Sequence, residues 1–115
     1  MVGKVVKFKE NEYQLSYPTV GQLIDIRVKE QLLSKGTTKE LLTGINADVD
    51  GYIYITTIAH IEVLLPNLIK DMKVPLLEMG LLDFQDMVDL YSDQIAPWLN
   101  DWKEQIKEKM KSRSE

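Results

Sequence analysis

Four features of the sequence carry residue types from which chemistry is made. Asp83, Asp86, Asp89 and Asp93 recur at three- and four-residue spacing, which sets Asp86, Asp89 and Asp93 along one side of a helix. Paired carboxylates perform acid–base or metal work only in a cleft that splits their pKa values. Here they oppose Phe84, Met87, Val88, Tyr91 and Ile95, so they read as a solvated face, with an electrostatic docking strip as the functional alternative. Asn46-Ala47-Asp48-Val49-Asp50-Gly51 alternates oxygen-bearing side chains before a glycine, like the first half of a calcium-binding EF-hand loop. Counting onward puts Thr57 where the bidentate Glu must stand and Asn46 where Asp is usual, so a turn and helix N-cap is expected instead. His60 is the only histidine, shares a helical face with Thr56, and has no Ser, Asp or second His at triad-like spacing; a hydrogen-bonded core or boundary histidine is expected. Trp98 and Trp102, four apart, have rings able to stack on a ligand, but their apolar neighbours make them core or interface anchors. The six glycines form neither GxGxxG nor GxxxxGK. No catalytic residue, cofactor or metal ligand is expected, and the chain reads as a protein without enzymatic activity.

The elements that must position these residues are legible from pattern. Val5-Val6-Lys7-Phe8-Lys9 and Tyr13-Gln14-Leu15-Ser16-Tyr17 alternate, and Glu10-Asn11-Glu12 has the length and the Asn of a tight hairpin connection. A lone hairpin is marginal in water, so it must lie on the helices or pair with another chain. Pro18 extends Tyr17, and Thr19 with Gln22 makes a capping box that opens a helix ending near Gly36 in a left-handed cap. In that helix Val20, Leu23, Ile24, Val28 and Leu32 form the stripe expected to be buried. Ile26 and Leu33 fall off the stripe and either widen the buried face or make a second contact surface.

Thr37 and Glu40 make a further capping box leading into a short segment, Lys39 to Thr43, which Gly44 can end. Tyr52 to Leu65 is apolar on nearly all sides, with Asp50 able to cap it, and is expected to be the central helix. Pro66 and Pro75 then delimit a short helix through Leu68, Ile69 and Met72. Asp83 and Asp86 open the helix carrying the acidic series, and Pro97 either begins a new helix or kinks that one. Trp98, Leu99, Trp102, Ile106 and Met110 form the last stripe, with Lys107, Lys109, Lys111 and Arg113 complementing the helix dipole. The expected fold is mostly α, one domain over 1–115, with a small N-terminal β-hairpin at 5–17 and a compact bundle of about five to six helices over 19–112.

Composition bounds the function classes. The chain has 115 residues, 44% hydrophobic and 28% charged, enough for one modest core. It has no cysteine, which excludes disulfides, thiolate zinc sites and cysteine nucleophiles. No apolar run is long enough for a membrane span or signal peptide, so neither a membrane nor export is expected. The net charge is −4, and residues 71–101 carry Lys73 alone against Asp71, Glu78, Asp83, Asp86, Asp89, Asp93 and Asp101. With Arg27 and Arg113 as the only arginines, no nucleic-acid partner is expected. The acidic stretch favours a basic protein surface.

The order of a short hairpin, Tyr17-Pro18-Thr19-Val20, a capped helix over Val20 to Lys35 and an all-helical remainder resembles the tail assembly chaperones of long-tailed bacteriophages. The likeness covers the first third of the chain, and beyond Gly36 it is architectural. It implies a non-enzymatic role in the host cytoplasm: coating the tape-measure protein before tail tube subunits polymerise around it. That calls for helix-in-groove recognition by exposed amphipathic faces, with Ile26, Leu33, Trp98, Trp102 and Ile106 as candidate contacts and the strip Asp86, Asp89, Asp93 as an electrostatic one. Such chaperones are often extended by a frameshift near the C-terminus, and the extension recruits tail tube protein; the lysine-rich 107–111 segment fits slippery codons. A homo-oligomer is a further possibility, and the alternative function is a structural virion subunit, a connector or tail-tube-associated protein, joined through its hairpin.

Overall fold

The computed structural model describes residues 3–43 and 48–114. An antiparallel hairpin, β1 (Lys4–Phe8) and β2 (Asn11–Leu15), is followed by six helices: α1 (Val20–Ser34), α2 (Thr38–Leu42), α3 (Val49–Leu64), α4 (Pro66–Asp71), α5 (Leu81–Leu90) and α6 (Ala96–Ser114). A 3-10 turn at Leu76–Glu78 precedes α5, and a π-helical turn at Tyr91–Ile95 joins α5 to α6. The mostly α class with an N-terminal hairpin is as the sequence indicates.

Val6 faces Tyr13 and Lys4 faces Leu15 across the hairpin, and Val6, Tyr13 and Leu15 are buried. The turn is Lys9-Glu10, earlier than the expected Glu10-Asn11-Glu12, with Lys9 left-handed at φ 56°. This register puts the buried residues of both strands on one face, which is what fixes pairing where one side meets a core. At Lys7 the outer edge of β1 is covered by a side chain: Gln94, in the π turn, accepts from Lys7 N at 2.9 Å and donates to Lys7 O at 2.8 Å.

The capping box forms as expected: Gln22 N donates to Thr19 Oγ1 at 3.1 Å, and Thr19 N donates to Gln22 Oε1 at 3.0 Å. At the other end of α1, Gly36 N reaches Gln31 O and Lys35 N reaches Leu32 O, a paired closure in which Lys35 (φ 56°) is already left-handed ahead of Gly36 (φ 83°). Thr37 does not cap α2; its hydroxyl donates to Ser34 O at 2.7 Å. Asp48, rather than Asp50, caps α3 by accepting from Gly51 N at 2.9 Å. The start of the calcium-loop likeness, Asn46 and Ala47, and the stop at Gly44 lie outside the described residues.

Helix α3 is central as expected, with Thr57, Ile58, Ala59, Ile61 and Leu64 buried. Around it a single apolar cluster takes in Val6, Leu15, Ile26, Leu65, Leu68, Leu76, Phe84, Met87, Leu90 and Ile95. In the π turn Ala96 N donates to Tyr91 O, five residues back, and Pro97 stands at the start of α6; the helix is diverted, not stopped. The radius of gyration is 15.3 Å, larger than the roughly 13 Å of a well-rounded domain of this length. The shape is a slab of 50 × 41 × 22 Å, so much of α1 and α6 has only one covered side.

One expectation is inverted. Of the α1 stripe expected to be buried, Val20 is 74% exposed, Ile24 55%, Val28 50% and Leu32 72%, and only Leu23 is half-buried. Ile26, off that stripe, is buried at 3%, and Leu33 packs half-buried against the core. The helix is apolar on two sides, and the inner side also makes polar contacts. Lys29 Nζ donates to Glu62 of α3 at 2.9 Å, and Ser34 and Thr38 hydroxyls pair at 2.8 Å, both locking the Ile26 side inward.

Candidate functional site

Two features stand out: the outer ridge of α1, and a polar cavity behind that helix. Val20, Ile24, Val28 and Leu32 follow each other at four-residue spacing, so they form one continuous ridge along the helix. Near its C-terminal end a shallow groove of Arg27, Val28, Gln31, Leu32, Lys35 and Gly36 runs beside the ridge. Its apolar floor is edged by two cations, Arg27 and Lys35. Single exposed apolar side chains are ordinary, and an aligned row of β-branched and leucyl groups is a candidate interaction surface.

Behind the ridge, α1, α3 and α6 with the π turn hold a polar cavity of about 320 Å³. Arg27 and Glu30 reach it from α1, Tyr52, Thr56 and His60 from α3, and Tyr91, Asn100 and Lys103 from the π turn and α6. His60 is 8% exposed. Its Nδ1 lies 2.7 Å from Thr56 O, with Thr56 Oγ1 at 3.2 Å. A carbonyl only accepts, so Nδ1 carries the proton and Nε2 keeps a lone pair with no hydrogen-bond partner among the described residues. Burial pushes the His60 pKa below its ordinary 6.5 and favours this neutral form, with Glu30 pulling upward and Lys103 downward. Tyr91 lies over the ring, centroids 4.9 Å apart, and burial raises its hydroxyl above the usual 10.0, so it remains a donor. None of Arg27, Glu30 and Lys103 is in an ion pair among the described residues, where the pairs are Lys29 with Glu62, Lys107 with Glu104 and Lys111 with Glu108.

The sequence-derived candidates fall in three separate places. Ile26 and Leu33 belong to the inner side of α1 and widen the buried face; Ile26 is no contact surface. Trp102 is 8% exposed and Trp98 half-buried, and both pack on Tyr17, with centroid distances of 4.6 Å for Trp98 and 5.4 Å for Trp102. They anchor the hairpin's exit to α6. Ile106 is half-buried further along α6. Asp86, Asp89 and Asp93 are exposed and line a crevice with Lys7 and Lys9 of the hairpin and Gln94 of the π turn, so hairpin lysines already face part of the acidic strip. Among the described residues no three His, Asp or Glu side chains are gathered to hold a metal ion, and no helix is long and apolar enough to cross a membrane.

Sequence reasoning missed the cavity because its lining comes from three distant segments, each with an ordinary local role. The signal that was present is the spacing Tyr52, Thr56, His60, which puts three polar side chains in a row on an otherwise apolar central helix. Compared with family models, with curated proteins and with solved structures, the chain matches none.

Proposed function

We propose that the protein is a non-enzymatic binding protein, a tail assembly chaperone of the long-tailed bacteriophage type, which shields the tape-measure protein while the tail tube is built around it. The observation that carries this reading is the α1 ridge, with Val20, Ile24, Val28 and Leu32 each half or more exposed. Rows of residues four apart are what one helix inserts into the groove of another. A helical, apolar client in need of cover is the partner such a ridge fits, by the helix-in-groove mode. Arg27 and Lys35 edge the ridge and favour a client helix whose apolar seam is flanked by acidic residues. The other reading, a virion subunit joined through hairpin edges, is less well supported, because Gln94 already occupies the β1 edge at Lys7.

Co-expression with the tape-measure protein tests this reading. The expected result is a soluble complex with the wild-type chain, lost in the double variant Ile24→Asp/Leu32→Asp while its melting temperature stays within a few degrees. An insoluble tape-measure protein despite co-expression, or a complex indifferent to the double variant, overturns it. Trp98 and Trp102 are poor probes, since their stacking on Tyr17 makes their loss a folding defect.

A further inference from the structure

The cavity behind α1 gathers charged groups of which the partner-binding role uses Arg27 alone. At about 320 Å³ it lies at the small end of ligand pockets, which run from about 300 to 1,000 Å³. It offers two cations, Arg27 and Lys103, one carboxylate, Glu30, and the unpaired Nε2 of the buried His60. Tyr52, Tyr91 and Asn100 add neutral hydrogen-bonding groups.

We propose that this cavity binds a small acidic α-amino acid, a compound with one ammonium and two carboxylates. The two cations match the two carboxylates, while Glu30 and the Nε2 lone pair of His60 match the ammonium. Charges balance as well: the cavity's ionised side chains sum to one positive, and the ligand carries one net negative. Other small ligands leave a wall unmatched. Inorganic phosphate has no group for Glu30 and is repelled by it; a neutral sugar leaves both cations unpaired; a dicarboxylate without nitrogen gives His60 no donor. A Glu or Asp side chain from a partner protein likewise lacks the ammonium.

The single histidine makes the test direct, because an imidazole nitrogen spectrum contains one residue. The 15N-labelled chain is titrated with L-glutamate, L-aspartate, succinate, glycine and inorganic phosphate. The expected result is a saturable shift of the His60 Nε2 signal with one of the two acidic amino acids, weakened at least about tenfold for succinate and for glycine, and about tenfold in Lys103→Gln and in Glu30→Gln. Lys107→Gln, one turn beyond Lys103 but exposed and outside the cavity lining, binds as the wild type does. No saturable shift with either amino acid up to about 10 mM overturns the proposal. So does equal binding of succinate or phosphate, or unchanged binding in Lys103→Gln. The ligand series is read on the wild-type imidazole, so that arm depends neither on any variant folding nor on whether the tape-measure protein is the client.

Discussion

Helices α1 and α5 are both amphipathic in sequence, and they resolve that pattern in opposite ways. In α5 the expected stripe goes inward: Phe84, Met87 and the following Ile95 are buried, and Asp83, Asp86 and Asp89 face out. In α1 the expected stripe goes outward, and the core takes Ile26 from another side of the helix. The difference lies in what opposes the apolar side. Asp residues opposite Met87 give α5 one apolar face, whereas α1 has apolar groups on two sides, the inner of which also carries the contacts of Lys29 with Glu62 and Ser34 with Thr38. Periodicity states that a face wants cover; it does not state that the same chain supplies it.

Substitutions that break or sharpen this contrast can be ordered by size. Met87→Ala in α5 and Ile26→Ala in α1 each remove a side chain at most 3% exposed and are expected to cost about 3 kcal/mol by urea denaturation. Ile24→Ala and Leu32→Ala, on the same helix as Ile26, are expected to stay within about 0.5 kcal/mol of wild type. A loss of about 2 kcal/mol or more at Leu32 would mean that its ridge is covered after all. Next, Gln94→Ala removes both bonds to the Lys7 backbone and is expected to cost about 1–2 kcal/mol, with faster hydrogen exchange at the Lys7 amide as its local sign. Smaller, and of opposite sign, Lys35→Gly relieves a left-handed non-glycine residue at φ 56° and is expected to add about 0.5–1 kcal/mol.

The least effect is the proton linkage of His60, which sits where α1 and the π turn after α5 approach each other. Burial sets its folded pKa below 6.5, against the opposing pull of Glu30. As pH falls from 6.5, the unfolded chain therefore takes up the proton first, and stability present above that pH declines below it. Wild type minus His60→Gln, followed by thermal melting between neutral and mildly acid pH, isolates this slope from that of the carboxylates. An identical pH dependence in the two chains would place the ring in a far wetter setting than the cavity described here.

Most of the architecture was legible because its signals are local. Thr19 with Gln22, Pro66 at the start of α4 and the apolar sweep of α3 each specify an element from within a few residues. Thr37 does not cap α2 because its backbone is not extended (φ −106°, ψ 21°) and its hydroxyl turns back to donate to Ser34 O, where a cap would have to accept from an α2 amide, a local geometry that the capping-box pattern does not encode. Asp48 prevailed over Asp50 because α3 begins at Val49, before the apolar run that announced it. The candidate sites were less legible. Trp98 and Trp102 look alike at any surface or core until Tyr17 is known to lie on them, and the cavity requires Glu30, His60 and Lys103 to be brought together across the fold.

The Gln94 amide that completes the β1 edge lies 87 residues beyond Lys7, and this distance sets a clock on the ribosome. At about 5–20 residues per second, the hairpin waits roughly 4–17 s between its own emergence and that of the glutamine that closes it. Over that interval both strand edges are bare and the α1 ridge is without the rest of the fold behind it. The nascent chain is thus most open to wrong pairing in its first third, and a chain cut short before Gln94 would expose at Lys7 an edge that the finished protein covers.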